Sequence, residues 1–262
     1  MGKDDILVDV EQGVATITLN RPEKLNAVTT EMANKFSQVI QDVRVNDEIK
    51  ALLITGAGSG FCSGTDLEGR MREIKEKRME RWEVISPTGY QFLPLARLEK
   101  PTIAAINGVA AGLGLSIALA CDIRLASEQA RFTAVWVKRG LIPDAGATYF
   151  LTRILGISKA LEIMFTGDIM SATEAERIGL VSRVVPHNDL MAVARETATK
   201  IAQGPSVAIE LMKKAAYRAL DNSLELQLDF ETYAQNICRQ TQDYKEGVEA
   251  FMQKRPPQFK GG

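Results

Sequence analysis

The chain has 262 residues, enough for one large domain or one domain with an appendage, and a chain of this size buries about three-quarters of its unfolded surface without needing a disulfide or a metal. Hydrophobic residues make up 45% and charged residues 25%, the balance of a globular protein rather than a disordered one. The 32 Lys and Arg against 33 Asp and Glu leave a net charge of −1, which argues against a nucleic-acid or membrane-surface binder, since those carry a basic excess.

Cys62, Cys121 and Cys238 are far apart, odd in number and form no C-x-x-C. A reducing compartment is expected and a structural zinc site is not. The start of the chain has no apolar leader, and no run approaches 18 uncharged apolar residues, so a cytoplasmic address is expected. His187 is the only histidine, which excludes multi-histidine metal sites and makes any Ser-His-Asp or Cys-His triad depend on one residue. It lies in a polar Pro-His-Asn-Asp stretch that reads as a solvated loop. Acid–base chemistry is therefore expected from carboxylates, a tyrosine or backbone groups.

In chain order, Ile6 to Val10 and Ala15 to Leu19 read as a hairpin around Glu11-Gln12-Gly13. Met32, Phe36, Val39, Ile40 and Val43 recur at helical spacing. Ala51 to Thr55 is a short buried strand before a glycine-rich loop, and the charged, helix-prone stretch 66–83 is expected to be mobile. A strand over Thr102 to Asn107 runs into small residues, followed by strands at Asp122 to Ala126 and Ala130 to Val135. Helices are expected at 147–154 and 158–165. Ser171 and Glu174 have the spacing of a capping box, Gly179 a helix stop, and Leu180 to Val185 a further strand. From about 188 onward the pattern is helical. Its apolar positions (Leu224, Leu226, Leu228, Phe230, Ile237, Val248, Phe251 and Met252) predict packing against another surface, such as a second subunit. The class is α/β, with a core over 1–195 and a helical oligomerisation region over 196–262.

Two segments offer backbone amides to an anion: Gly60 to Leu67, and Ala110 to Gly114 just before a small-residue helix. Small residues there allow close backbone approach and a helix start adds a positive dipole, the makings of an oxyanion hole. The same glycines also suit ordinary tight turns. No G-x-x-x-x-G-K-[S/T] loop occurs, so a P-loop role is excluded.

NRPEKLNAV (20–28), ITGAGSGFCSGTDL (54–67), KPTIAAINGVAAGLGLSIALACDIRLAS (100–127), FTGDIMSATEAERIGLVSRVV (165–185) and the ending KRPPQFKGG together resemble the crotonase, or enoyl-CoA hydratase/isomerase, superfamily, in the family's order and over nearly the whole chain. The resemblance implies a spiral of β-β-α units with a C-terminal helical trimerisation region, assembled as a homotrimer or a dimer of trimers. It implies an acyl-CoA substrate, with coenzyme A entering as part of that substrate and no permanently bound cofactor. Carried over by position, the oxyanion amides are those of Thr65 and Leu113. The family usually has glycine at the second place, so Leu113 is expected to narrow the acyl pocket. Coenzyme A contacts fall on Lys24, Leu25, Ala27, Ser63, Thr65, Asp66 and Leu67, with Phe259 and Lys260 matching terminal residues that approach a coenzyme A in relatives. Lys24 also reads as an ordinary solvated lysine.

Hydratases of the family handle water with two glutamates; at those positions this chain has Ser116 and the dipeptide Val135-Trp136. A serine has no useful acid or base near neutrality and an indole none at all. Asp144 falls where dienoyl-CoA isomerases of the superfamily carry a catalytic aspartate, and the Trp136–Asp144 spacing, with GATYFLTRILG following, resembles the chlorobenzoyl-CoA dehalogenases. The dehalogenase histidine position is Gly89, beside Tyr90. Three readings follow: an acyl-CoA isomerase or hydratase with Asp144 moving a proton, a hydrolase or dehalogenase of an aromatic or cyclic acyl-CoA with Asp144 as nucleophile or water activator, and a non-catalytic acyl-CoA binder. Each residue also has a structural reading. Asp144 could N-cap the following helix, Trp136 could line a pocket or the core, Ser116 could be a small packing residue, and Asp122 reads as structural. An aspartate among apolar neighbours would suit a base.

Overall fold

Gln12 and Gly13 both take positive φ (51° and 77°), the backbone a tight hairpin turn requires, so β1 (Ile6–Glu11) folds back on β2 (Val14–Leu19) with Ile6 opposite Leu19. The computed structural model describes residues 4–68, 71 and 87–262. Apart from residues 66–68 and 71, the charged stretch 66–83 lies outside them.

From β2 onward the neighbours in the larger sheet are parallel. The larger sheet runs β1-β2-β3-β5-β7-β10, with β3 Ala51–Gly56, β5 Thr102–Ile106, β7 Ile123–Ser127 and β10 Arg183–Val185. A second sheet, β4-β6-β8-β9, is made of β4 Gly60–Cys62, β6 Val109–Ala111, β8 Arg131–Thr133 and β9 Met170–Ser171. Each long strand feeds a short one in the second sheet (β3 to β4, β5 to β6, β7 to β8), so the chain climbs both sheets one strand per repeat, the expected spiral.

The period-two geometry of strands divides the core. Leu52, Ile54, Ala104 and Ile106 face the main cluster with Phe36, Phe61 and Phe132, whereas Ala51, Leu53, Ile103 and Ala105 face Leu190, Ala194 and Ala198 of the helix Leu190–Ala202. Residue 195, the expected domain boundary, lies inside that sheet-packed helix. Beyond it come the helices Ser206–Arg218, Leu224–Cys238 and Gln242–Gln253. They leave Leu224, Leu226, Leu228, Val248, Phe251 and Met252 exposed.

The helix Thr30–Val45 buries Met32, Phe36, Ile40 and Val43, with Val39 packed at the margin, and Ser171 caps Ala172–Arg177 by accepting from the Glu174 amide. Two strand expectations shorten. The strand from Ala130 ends at Thr133 because Val135–Arg139 coils into a 3-10 helix, and that from Leu180 is confined to Arg183–Val185. His187 is not a solvated loop residue: it starts a 3-10 turn, is half-buried, and its Nδ1 lies 2.9 Å from Ser127 Oγ. Asp122 is structural, as expected. Its Oδ2 accepts from the Thr102 amide and pairs with Lys213 at 2.7 Å, and Oδ1 accepts from the Tyr217 hydroxyl, tying the helix Ser206–Arg218 to the sheet.

Candidate active site

Thr65 sits in an isolated parallel bridge with Val28. The amide of Val28 donates to the Gly64 carbonyl (2.8 Å) and that of Asp66 to the Val28 carbonyl (2.9 Å), so the N–H of Thr65 itself points away from Val28. On that side lies the second loop. A Cβ at Gly64 (φ +108°) would stand 3.0 Å from the Ala111 carbonyl and 3.6 Å from the Leu113 amide nitrogen, and one at Gly114 would run into the Cys62 carbonyl. Only glycine permits this contact, and the two amide-bearing loops abut through it. Leu113 is the first residue of the helix Leu113–Ala120, whose N-cap Gly112 offers no side-chain acceptor. The first amides of a helix have no intrahelical partner, and its dipole adds positive potential there. Leu113 is 3% exposed and packs in the main core.

The RPEKLN block meets the first loop directly. Ser63 donates its amide to the Leu25 carbonyl and its hydroxyl to the Lys24 carbonyl. Arg21 reaches Ala27 by a hydrogen bond to its carbonyl and Asp66 by an ion pair at 3.0 Å. Leu25 and Asn26 take left-handed backbone (φ 47° and 58°), and the Asn26 side-chain Nδ2 donates to the Gly60 carbonyl at 2.7 Å. Lys24, Leu25, Ala27, Ser63, Thr65 and Asp66 are thus brought together, with Leu67 exposed just beyond. Lys24 is ion-paired with Glu68 at 2.9 Å, and that carboxylate pushes the ammonium pKa up. Phe259 and Lys260 lie elsewhere. Phe259 lines a cavity of about 360 Å³ with Val207, Tyr244 and Val248, and Asp243 accepts from the Lys260 and Gly261 amides.

Trp136 and Ser116, the residues expected at the hydratase glutamate positions, both donate hydrogen bonds to Asp144, one to its carboxylate and one to its backbone carbonyl. Trp136 is 5% exposed and lies beside the second loop: a Cβ at Gly112 would stand 4.0 Å from Trp136 Cε2. Its indole N–H donates to Asp144 Oδ1 at 3.1 Å. Ser116 is 1% exposed, and its hydroxyl donates to the backbone carbonyl of Asp144 at 3.0 Å. Asp144 does not cap the next helix. The N-cap of Ala147–Leu155 is Gly146, without a side-chain bond, and the Ala147 amide instead bonds the Asp144 carbonyl at 3.0 Å. Nor is Asp144 buried among apolar neighbours; its turn lies at the surface of the chain and the residue is exposed. Ala145 is left-handed at φ +47° and Gly146 at φ +84°, a conformation that costs an L-residue such as Ala145 about 1–2 kcal/mol.

A cavity of about 570 Å³ opens at Ala145 and Gly146 and is walled by Tyr90, Phe92, Tyr149 and Phe150. Gly89, the residue expected at the dehalogenase histidine position, also faces it, with a Cβ position 3.7 Å from the Ala145 amide nitrogen, and carries no side chain. Among the described residues no cluster of His, Cys, Asp or Glu could hold a metal ion, and no helix is long and apolar enough to cross a membrane.

Known proteins fit this architecture. The family model for enoyl-CoA hydratase/isomerase matches residues 9–262. The chain is 40% identical to the 1,2-epoxyphenylacetyl-CoA isomerase of Escherichia coli K12, covering 98% of each protein. It is 37% identical to the short-chain-enoyl-CoA hydratase of Clostridium acetobutylicum, covering 97% of each. The crystal structure of enoyl-CoA hydratase from Bacillus anthracis superposes with a TM-score of 0.92 at 34% identity, covering 99% of this chain and 100% of that one. The spiral fold and paired loops are those of the crotonase superfamily. The chain belongs to the enoyl-CoA hydratase/isomerase family within it and is an acyl-CoA enzyme of that family.

Proposed function

We propose that the protein isomerises a ring-bearing acyl-CoA, with Asp144 as the single proton-transfer group and the amides of Thr65 and Leu113 holding the thioester oxygen. The observation that carries this reading is the convergence of Trp136 and Ser116 on Asp144. Where a hydratase has two carboxylates to hold and split water, this chain has two hydrogen-bond donors directed at one aspartate, the Trp136 indole at its carboxylate and the Ser116 hydroxyl at its backbone carbonyl. Moving a double bond or opening a strained ring requires one base that takes a proton and gives it back, while two N–H donors stabilise the enolate between the steps. The aromatic walls of the cavity beside Ala145 suit a flat ring, and the 1,2-epoxyphenylacetyl-CoA named for the Escherichia coli relative supports that class. Lys24, Leu25, Ala27, Ser63, Asp66 and Leu67 are the coenzyme A contacts in this reading, and coenzyme A is part of the substrate rather than a resident cofactor. The exposed apolar side chains of the C-terminal helices support self-association, for which the trimer remains the expectation, with Phe259 and Lys260 in that region. Asp144 as a nucleophile is the weaker reading, because Gly89 supplies no base beside it.

The test is mass spectrometry of products from 1,2-epoxyphenylacetyl-CoA and from crotonyl-CoA in ¹⁸O-labelled water. A product of unchanged mass and altered retention supports isomerisation, and Asp144→Asn is expected to slow its formation about 10²–10⁴-fold. A labelled hydroxyacyl product, or label in a peptide containing Asp144, overturns it.

A further inference from the structure

The helix Leu113–Ala120 is buried along its whole length, and every residue is apolar or glycine except Ser116. Burying a hydroxyl costs free energy unless it is hydrogen-bonded, so alanine would serve better there if packing were the only demand. The hydroxyl has two acceptors in range but one proton. The local one, the Gly112 carbonyl one turn back, is 3.5 Å away; the shorter contact, at 3.0 Å, leaves the helix and crosses 28 residues of sequence to the Asp144 carbonyl.

That carbonyl begins the left-handed turn. It also accepts from the Ala147 amide across Ala145 at φ +47° and Gly146 at φ +84°. A turn strained at a non-glycine residue persists where its surroundings over-determine it. Here the determinants are two donors on the Asp144 carbonyl and the Trp136 indole on its carboxylate.

We infer that Ser116 is a positioning residue: by donating to the Asp144 carbonyl it anchors the turn that sets where the Asp144 carboxylate meets the substrate. This inference rests on the isomerase reading. The position that related hydratases give to an acid has here become the backbone anchor of a different acid.

The experiment is steady-state kinetics on the full-length protein with 1,2-epoxyphenylacetyl-CoA, comparing Ser116→Ala, Ser116→Cys and Asp144→Asn with the parent chain. Ser116→Ala is expected to lower kcat about 10- to 100-fold, since a small misplacement of a catalytic group has effects of that order, while KM stays within about 2-fold. A packing role would not split the two constants in this way. If Ser116→Ala does not fold, Ser116→Cys is read by the same criterion, because it keeps a small side chain with a proton but donates only weakly. An unchanged kcat, or a loss carried entirely by KM, overturns the assignment. If Asp144→Asn abolishes turnover while Ser116→Ala keeps full kcat, the Ser116 assignment alone falls. If Asp144→Asn turns over normally, the isomerase reading falls and takes the Ser116 assignment with it.

Discussion

Trp136 holds Asp144 by its indole N–H, 3.1 Å from Oδ1, eight residues away across the 3-10 turn and the loop that follows. The same ring lies beside Gly112, so one side chain spans from the helix start that offers the Leu113 amide to the carboxylate proposed to move protons. A hydrogen bond to a charged acceptor contributes roughly 1.5–3 kcal/mol, and an aromatic ring in the core contributes packing besides. Trp136 supplies both.

Replacing Trp136 by Phe separates those contributions, because the ring stays and the N–H goes. The expected outcome is a kcat about 10-fold lower, the equivalent of about 1.4 kcal/mol, with little change in KM. Steady-state kinetics checks it, and a change confined to KM would contradict the assigned role.

Ala145→Gly removes the left-handed cost at φ +47°. Against the greater freedom that glycine gives the unfolded chain, a net stabilisation of about 0.5–1 kcal/mol is expected in urea unfolding. Turnover should fall at the same time, because the turn that presents Asp144 becomes looser. A variant that is both less stable and fully active would show that the turn stores no strain.

The buried thiols give a pH prediction. Burial pushes Cys62 and Cys121 up to about 12, whereas Cys238 is only half-buried. In the folded protein at pH 8, a disulfide reagent should titrate one thiol, and all three after denaturation. The unfolded chain sheds these protons near the ordinary cysteine value of about 8.5, and the folded chain keeps them until about 12. Stability is therefore fully present below about 8.5 and declines as pH rises from there toward 12. Melting temperatures measured from pH 8 to pH 10.5 check the direction, and a rise across that range would contradict it.

Legibility in the sequence differed from residue to residue. The glycine-rich loops could be read because their backbone leaves few other choices: Gly64 takes φ +108°, and a Cβ at Gly114 would run into the Cys62 carbonyl. The strands could be read because consecutive residues such as Leu52 and Leu53 are both apolar and face separate cores, the signature of a strand covered on both sides. His187 and Asp144 were harder. A histidine in a polar stretch looks solvated until β7 brings Ser127 beside it, and an aspartate shortly before a helix looks like a cap until Gly146 occupies that place. The Lys24–Glu68 pair joins residues 44 apart and has no local signature.

What the sequence by itself determined is the architecture and its family, because short-range rules write them repeatedly: period-two strands, helical stripes, caps and obligatory glycines, each consistent with the next. It also set the chemical inventory, with one histidine and with serine at 116 and tryptophan at 136 rather than acids. What only the tertiary structure decided is where Asp144 points and what holds it. That outcome depends on a hydroxyl 28 residues earlier and on a left-handed turn at an alanine. Neither the long-range hydrogen bond nor the strained φ follows from local preference, because both exist only where the packed helix Leu113–Ala120 and the turn after Trp136 are brought against each other.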